Sequence, residues 1–305
     1  MWDADSIVAT LRARGELWES SPGVVGLRGG ALALARKLDA LIAQVAAATD
    51  TTTCEEWWVP STVALSTLAR ASYFASFPQW LTLAGHLRDD GDVLERVARS
   101  DDPVSAAREA CGPADAALPP AVCYHVYAAL ADRTVIAPVF VTAQGTCWRH
   151  EGTRLRALAR GWAFTMREGV CVGDEADVGA FRDRGAARAI ALAESLGLSP
   201  RLEEATDPFF APTSRGRKLL QQIKGLKQEL VLPVGSEQIA AASFNVHDTF
   251  FGDGFDIRLS SGEPAHTACV AYGVERWTLA FLAAHGPDAR HWPALPVEQL
   301  EEIGA

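Results

Sequence analysis

The segment HTACVAYGVERW, residues 266–277, contains an arginine whose position suggests phosphate chemistry. Residues 266–272 are small and apolar like a buried strand, and apolar spacing from Val274 onward indicates a helix. Arg276 falls in the first turn of that helix, where the helix dipole is already positive and disfavours a cation. Two explanations stay open. Arg276 and the free N–H groups of the helix start share an anion such as a phosphate, or Arg276 pairs with Glu275 or a nearby carboxylate at the surface.

A second set of charged residues lies in the segments CWRHEG and FTMRE. In extended backbone Arg149 and Glu151 share one face with Cys147, and Phe164 and Glu168 share one face of the next segment. Charges on the inner face of a sheet are costly unless they are paired or bind a ligand. The residues therefore form either a structural ion pair of Arg149 with Glu168 or Glu151, or a phosphate-binding arginine beside a carboxylate that binds an amine.

The elements that would position these residues alternate between amphipathic helices and short strands. Helices are predicted at 3–20, 31–48, 61–71, 176–197, 214–227 and 274–286, with further polar helical sequence over 83–118. Strands are predicted at 54–60, 135–144, 145–152, 162–173, 229–234, 239–245, 255–259 and 266–272. Helices that flank mostly sequential, hairpin-linked strands predict an α+β fold with an antiparallel sheet.

Composition limits the class of protein. The chain has 305 residues, 49% hydrophobic content and a net charge of −10, which argues against a protein that grips nucleic acid through a basic field. The apolar segments are too short to span a membrane, and the N-terminus lacks the apolar core of a signal peptide. The six cysteines form no CxxC pair or secreted disulfide pattern. We therefore expect a cytoplasmic protein.

Taken in order, these segments resemble the three motifs of class II aminoacyl-tRNA synthetases. The resemblance is to the seryl branch and, within it, to the truncated homologues called amino acid:[carrier protein] ligases. It covers roughly residues 24–295 and is carried by EEWWVPSTV with SYFASFP, CWRHEG, AFTMREGVCVG, DPFFAP, KQELVLP, SFNVHDTFFG and HTACVAYGVERW. The resemblance implies a single class II catalytic domain over 1–305, with a helical insertion around 83–118 and a basic helical segment around 176–227.

The resemblance also implies roles in ATP binding. Arg149 would hold the α-phosphate and the carbonyl of the activated amino acid, and Arg276 would bind the γ-phosphate. Both are therefore expected to be catalytic. Glu151 would lie near the adenine amino group and Phe164 would stack on the adenine. Two further ATP-binding residues are expected, Arg160 in the loop between the motif 2 segments and Glu229.

A zinc site is a further implication of the resemblance. Its ligands would be Cys123 in AVCYHVY, Glu168 in FTMRE and Cys269 in HTACV. Three protein ligands leave one coordination position open, and the α-amine of the substrate would fill it. Without the resemblance, buried cysteines are most simply core residues. The histidines at 150, 247 and 266 are expected to be structural or to shape the substrate pocket, since activation needs no general base.

One departure from ordinary seryl synthetases and one requirement of the acceptor guide the choice of acceptor. We expect no N-terminal tRNA-binding arm, because only about 50 residues precede the motif 1 strand and these already hold a helix of the catalytic fold. An acidic enzyme that receives an acidic carrier protein needs a local basic patch. The segment 214–227 supplies Arg215, Arg217, Lys218, Lys224 and Lys227, as a docking helix or as a solvated surface helix.

The magnesium-binding glutamate of ordinary synthetases has no counterpart in the apolar stretch IAAASFN. Mg²⁺ is still expected, because a triphosphate needs divalent charge compensation. The candidate ligands are Glu229, Asp248, Asp253 and Asp256.

The predicted reaction is ATP-dependent activation of a small amino acid, glycine or alanine first, and transfer to the phosphopantetheine thiol of a carrier protein. The class II core implies a homodimer with the segment Trp57–Pro60 at the interface. Two alternatives stay open: a tRNA-charging seryl-type synthetase, and a catalytically silent binding or regulatory paralogue. Retention of Arg149, Glu151, Phe164 and Arg276 favours an active enzyme.

Overall fold

The structure is a computed structural model that describes residues 2–48, 53–210 and 225–295. Its strands are β1 (Leu17–Ser21), β2 (Val24–Leu27), β3 (Glu55–Trp58), β4 (Val63–Ala64), β5 (Leu83–Ala84), β6 (Ala116–Ala117), β7 (Thr134–Val135), β8 (Val139–Trp148), β9 (Ala163–Gly173), β10 (Arg201–Glu204), β11 (Lys227–Val234), β12 (Glu237–Val246), β13 (Arg258–Leu259) and β14 (His266–Gly273). Its helices are α1 (Ala4–Ala13), α2 (Gly29–Ala46), α3 (Leu65–Arg70), α4 (Tyr73–Ser76), α5 (Gly91–Ala98), α6 (Pro103–Ala110), α7 (Cys123–Ala129), α8 (Glu175–Ser195), α9 (Phe250–Phe255) and α10 (Val274–His285).

A seven-stranded sheet forms the centre of the fold, with strand order β10-β11-β12-β14-β9-β8-β3. Neighbouring strands are antiparallel except β3 and β8, which run parallel. The mostly antiparallel sheet flanked by helices confirms the α+β class predicted from the sequence. Long ladders hold β8, β9 and β14 in register, so residues on these strands have fixed positions relative to one another.

The two faces of the sheet bury different sets of residues, as the alternation of side chains along a strand requires. On β9, Cys171 belongs to the core beneath α2, α8 and α10, whereas Val170 and Val172 belong to the core beneath α7 and α9. On β14, Val270 faces the first core and Cys269 faces the second. The second face carries the functional cleft described below.

A polar segment of the chain connects β5 to β6. These two strands form a separate three-stranded sheet with β4. Helix α5 buries none of its residues and α6 buries only Ala110. This segment corresponds to residues 83–118, where an insertion into the catalytic domain is expected. The division of the chain into domains stays a prediction.

The predicted helix over 3–20 is wrong in its second half. Helix α1 ends at Ala13, and Gly15 takes the left-handed conformation with φ of 65°. Only glycine adopts this conformation without strain, so the chain turns there. The hairpin of β1 and β2 follows and buries Leu17 in the core.

Two predicted strands are also corrected. Residues 139–148 form one continuous strand, β8, because the ladder with β9 runs unbroken from Val139 to Trp148. The predicted strand over 255–259 shrinks to Arg258–Leu259, since Phe255 ends helix α9 and Asp256 is left-handed with φ of 50°. Among the described residues, no helix is both long enough and apolar enough to cross a membrane.

Candidate active site

A cleft of about 500 Å³ opens on the face of the sheet that carries α7 and α9. It continues into a narrower pocket of about 100 Å³ at the start of helix α10. Arg149, Glu229 and Arg276 lie in the walls of both cavities, so the two form one continuous space. The structure thus brings residues from widely separated segments of the sequence to one cleft.

At the narrow end, Arg276 points into the cleft and does not pair with Glu275. Its Nε donates to the carbonyl oxygen of Ala159 at 2.8 Å, and its Nη1 donates to the carbonyl oxygen of Ala240 at 2.7 Å. Both carboxylate oxygens of Glu275 accept from the backbone N–H of Thr165 at 2.9 Å. The surface ion pair is therefore excluded as the explanation for Arg276.

Electrostatics at this end favour an anion. Burial, together with the charges of Arg149 and Arg160, lowers the pKa of Arg276 to about 10, against the opposing effect of Glu151 and Glu229. Arg276 stays protonated at neutral pH, but its charge is poorly solvated and faces other cations. A polyanion bound here would relieve both costs.

Arg149 lies at the junction of the two cavities and forms neither of the ion pairs considered from the sequence. Its Nε donates to the carbonyl oxygen of Pro120 at 2.9 Å. Its guanidinium lies 5.3 Å from the ring centre of Trp80 and 5.4 Å from that of Phe164. No carboxylate of residues 2–48, 53–210 and 225–295 makes an ion pair with Arg149. The guanidinium is positioned by aromatic rings and keeps donors for a ligand.

Glu151 is placed differently from the expectation of a shared strand face. Strand β8 ends at Trp148, so Arg149 and Glu151 lie beyond the sheet, and Glu151 precedes a short 3₁₀ turn over Gly152–Arg154. Its carboxylate pairs with Arg160 Nη1, and Arg154 Nη2 lies at 3.5 Å. Arg160, Glu151 and Phe164 all line the cleft system.

The opposite end of the cleft contains Cys123, Glu168 and Cys269. One ligand atom from each lies within 4.8 Å of the other two, and all three residues are buried. Cys123 opens helix α7, and its backbone N–H donates to Glu168 Oε2 at 2.5 Å. The β9–β14 register pairs Glu168 with Ala271, two residues from Cys269. Adjacent strands and a helix start thus bring together residues far apart in sequence.

The protonation of this group follows from its burial. Burial, together with the charge of the neighbouring Cys269 thiolate, raises the pKa of Glu168 to about 8. A hydrogen bond from Cys123, aided by His247 and Asn245, lowers the pKa of Cys269 despite its burial. The pKa of Cys123 rises, because it is the donor of that hydrogen bond and is itself buried.

This donor set could hold a divalent metal. Two sulfur atoms and a carboxylate oxygen suit zinc, and three ligands leave a fourth position open toward the cleft. Burial makes negative charge on these three residues costly, and a bound cation would compensate that charge. The chemistry of the three residues therefore fits the zinc site expected from the resemblance.

Two residues beside Cys269 were given no role in the sequence interpretation beyond shaping the pocket. Asn245 Nδ2 lies 3.6 Å from Cys269 Sγ, and His247 Nε2 lies 3.7 Å from it. His247 Nδ1 contacts Thr267 Oγ1 at 3.1 Å. A spacing of two residues separates Ser243 from Asn245 and Asn245 from His247 along the chain. This spacing is the signal that could have revealed a shared face.

Lys227 requires a correction, because it cannot belong to an exposed basic docking patch. It opens strand β11, is only 8% exposed and faces the cleft. Its Nζ lies 2.6 Å from Asp207 Oδ1 and 3.0 Å from Glu229 Oε1. The other four residues predicted for docking lie outside the described residues: Arg215, Arg217, Lys218 and Lys224.

The four acids considered as magnesium ligands do not share one place. Glu229 and Asp248 line the cleft. Asp253 and Asp256 are exposed and are not among its lining residues, and Asp256 pairs with Arg258 at 2.7 Å. Of the four candidate ligands, only Glu229 and Asp248 therefore line the cleft.

Comparison with known structures establishes the class of the fold. The seryl-tRNA synthetase of M. kandleri, solved in complex with A. aeolicus tRNASec, superposes with a TM-score of 0.84 at 23% sequence identity. The superposition covers 97% of this chain and 60% of that synthetase chain. The chain therefore has the class II aminoacyl-tRNA synthetase fold.

Curated relatives define the family more narrowly. Amino acid–[acyl-carrier-protein] ligase 1 of Bradyrhizobium diazoefficiens is 36% identical over 239 residues, which cover 77% of this chain and 73% of the relative. Ligase 2 of the same organism is 37% identical over 230 residues, covering 74% and 68%. No protein-family model matches the sequence. The chain belongs to the amino acid–[acyl-carrier-protein] ligase family.

Proposed function

We propose that this protein activates a small amino acid with ATP and transfers it to the phosphopantetheine thiol of a carrier protein. One observation carries the proposal: a single cleft joins a cationic, phosphate-sized end at Arg276 to a buried metal-binding group at Cys123, Glu168 and Cys269, with Arg149 between them. An aminoacyl-adenylate has the same order of groups, with nucleotide, phosphate, carbonyl and amine in sequence. Membership of the ligase family supports the same reaction class.

At the nucleotide end, Phe164 stacks on adenine and Glu151 accepts from its amino group. Arg160, paired with Glu151, reaches the phosphates from the loop side. Arg276 binds the γ-phosphate, and Glu229 contacts ATP or its magnesium ion from strand β11. Mg²⁺ compensates the triphosphate charge. Burial supports these roles, because fixed charges in a water-poor cleft interact strongly with a phosphate.

At the amino-acid end, Cys123, Glu168 and Cys269 would hold zinc. Zinc bound to three protein ligands would leave a fourth coordination position, which suits a neutral α-amine and not a hydroxy acid. Glu168 orients this end through its hydrogen bond with the Cys123 backbone. Glycine and alanine are the favoured substrates.

The proposed chemistry has two balanced steps. A carboxylate oxygen of the amino acid attacks the α-phosphorus, the bond to the β-phosphate bridging oxygen breaks, and pyrophosphate leaves with the electron pair. The carrier thiol then loses its proton to water, its sulfur attacks the carbonyl carbon, the bond between that carbon and the phosphate oxygen breaks, and AMP leaves with the electron pair on that oxygen. Arg149 binds the α-phosphate and the carbonyl, where negative charge grows in both transition states.

The carrier protein is proposed to dock through the basic segment that includes Arg215, Arg217, Lys218 and Lys224. Carrier proteins are acidic, and an acidic enzyme attracts one through a local basic surface. Exchange of these four residues for glutamine should raise the KM for the carrier protein and leave amino-acid activation unchanged.

A second candidate function is tRNA charging, favoured by the TM-score with a seryl-tRNA synthetase bound to tRNA. The net charge of −10 opposes it, because tRNA binding relies on releasing counterions from phosphates into solution. Salt-sensitive binding of total tRNA, followed by acid-stable serine attachment, would support this candidate.

The experiment that tests the proposal is amino-acid-dependent ATP–pyrophosphate exchange across the twenty amino acids, with and without a zinc chelator. We expect exchange with one or two small amino acids and its loss on chelation. A thiol acceptor assay with a phosphopantetheinylated carrier protein then detects the thioester. Exchange with none of the amino acids would overturn the proposal and favour a catalytically silent paralogue.

A further inference from the structure

The hydroxyl group of Tyr73 is buried at the cleft without a hydrogen-bond partner. Tyr73 starts helix α4, is 2% exposed and lines the same cleft as Cys123, Glu168 and Cys269. Its Oη has no partner among residues 2–48, 53–210 and 225–295. A buried polar group without a partner costs about 1–3 kcal/mol, so its retention requires an explanation.

Packing fixes the direction of this hydroxyl. The Tyr73 ring packs against Phe77 at a centroid distance of 5.7 Å and edge-on against Tyr124 at 5.9 Å and 87°. Burial raises the pKa of Tyr73, and the Arg149 charge opposes that rise. The hydroxyl is therefore a neutral donor at physiological pH, held in the field of the Arg149 guanidinium.

Arg149 has unused donors on the same side of the cleft. A guanidinium carries five N–H donors, and one of these, on Nε, reaches Pro120. Trp80 and Phe164 flank the group without accepting conventional hydrogen bonds from it. The Tyr73 hydroxyl and the Arg149 guanidinium both offer hydrogen-bond donors. A ligand rich in acceptors, such as a carboxylate, would satisfy both groups.

We propose that the Tyr73 hydroxyl is a substrate-binding group that donates a hydrogen bond to the carboxylate of the bound amino acid, beside Arg149. The oxygen it contacts becomes the carbonyl oxygen of the adenylate, while the other oxygen attacks phosphorus. This inference rests on the proposed function and adds to it a residue that recognises the carboxylate. Tyr73 then distinguishes amino acids from amines, which reach the metal-binding end but offer no acceptor.

Tyr272 provides a matched control, because its hydroxyl is also buried without a partner in the described part of the chain. It lies on strand β14 within the other core, near Phe244 and Trp277, and is absent from the cleft wall. The same loss of one hydroxyl at Tyr272 therefore leaves the cleft untouched.

The test compares Tyr73→Phe and Tyr272→Phe with the wild-type protein in exchange assays with glycine and alanine. Titration of ATP binding and thermal unfolding complete the comparison. We expect Tyr73→Phe to raise the amino-acid KM by roughly tenfold or more, since a hydrogen bond to a charged group is lost. ATP affinity should stay within about twofold of the wild-type value, because the hydroxyl contacts the amino acid alone. The melting temperature should stay the same or rise, because an unpaired buried hydroxyl is removed.

The outcomes separate this inference from the proposed function. Wild-type exchange together with an unchanged amino-acid KM in Tyr73→Phe overturns the role of Tyr73 alone. A lower melting temperature with equal losses for ATP and amino acid shows a structural hydroxyl and also overturns it. Tyr272→Phe should keep the wild-type KM. Absence of exchange in the wild-type protein overturns the proposed function and this inference with it.

Discussion

At the scale of single residues, Arg276 lies at a position that is unfavourable for its own helix but that places its side chain in the wall of the cleft. The positive end of the helix dipole disfavours it, and burial beside Arg149 and Arg160 lowers its pKa. Backbone carbonyls of Ala159 and Ala240 hold it in place. The phosphate proposed to bind here would offset these costs.

Replacing Arg276 with alanine should impair ATP use much more than amino-acid use. We expect the kcat/KM for ATP in the exchange reaction to fall about 100-fold, which corresponds to roughly 2.7 kcal/mol of lost transition-state binding. Arg258→Ala serves as the control, because Arg258 pairs with Asp256 on the surface. An unchanged kcat/KM for ATP in Arg276→Ala would remove Arg276 from the phosphate site.

The cysteines proposed to bind zinc can be separated from a core cysteine by metal analysis. Cys123→Ser should reduce bound zinc from about one per chain to a small fraction, since one of three protein ligands is weakened. Cys171→Ser should keep zinc, because Cys171 is buried in the core on the opposite face of the sheet. Equal zinc content in all three proteins would show that the metal is bound elsewhere.

Zinc affinity should depend on pH with a defined sign. Burial raises the pKa of Glu168 to about 8 in the metal-free protein, so the carboxyl is protonated below that pH. Metal binding needs the carboxylate and the Cys123 thiolate, and must displace protons from both. The affinity should therefore fall as the pH drops from 8 to 6. Calorimetry in buffers of different ionisation enthalpy should detect proton release, and a pH-independent affinity would contradict this assignment.

At the scale of elements, strand β9 connects the core to the site through its alternating faces. Glu168 faces the cleft, whereas the adjacent Arg167 faces the helices on the other side. Arg167 Nε lies 2.8 Å from Asp39 Oδ1 of helix α2, and its Nη1 lies 3.0 Å from Glu56 Oε1 of strand β3. One buried guanidinium thus links a helix, the centre of the sheet and its edge.

Removing Arg167 should destabilise the fold as a whole. Arg167→Ala leaves the partly buried carboxylate of Asp39 unpaired, and we expect a loss of about 3 kcal/mol in the free energy of unfolding. Arg12→Ala removes a more exposed pair with Glu19 and should cost less than about 1 kcal/mol. Urea unfolding of both variants measures the difference, and equal losses would show that the Arg167 pair is no stronger than a surface one.

At the scale of the whole molecule, strand β3 forms one edge of the central sheet and leaves a large aromatic residue uncovered. Trp58 is 98% exposed, and β3 pairs only with β8 among the described strands. Exposed apolar residues on an open sheet edge are typical of association surfaces. This arrangement supports the proposed homodimer with the segment Trp57–Pro60 at its interface.

Replacing Trp58 with glutamate should convert the proposed dimer to a monomer. A charge buried without a partner at the interface opposes association, and the Kd for dimerisation should rise by at least about 100-fold. Trp18→Glu is the control, since Trp18 is 52% exposed on the separate β1–β2 hairpin. Light scattering over a concentration series measures both. A monomeric wild-type protein, or a Trp58→Glu dimer of unchanged affinity, would contradict the prediction.

The amino-acid sequence predicted the regular elements well where local periodicity was strong. The helices at α2, α8 and α10 and the strands at β9, β12 and β14 lie within a few residues of their predicted places. It was less successful at Gly15, where left-handed backbone ends a helix that the prediction continued, and at Asp256, where left-handed backbone follows a helix in place of the predicted strand. Hydrophobic periodicity reports which face is buried, but it does not report where the chain turns.

The sequence by itself determined the α+β class, the central sheet and the residue types of the site, because each follows from local pattern or motif. Tertiary structure alone decided how those residues meet. Cys123, Glu168 and Cys269 converge through strand register and the start of a helix, which no spacing along the chain encodes. Lys227 likewise turned from an apparent surface cation into a buried partner of Asp207 and Glu229. Burial and pairing depend on distant segments, so only the folded chain specifies them.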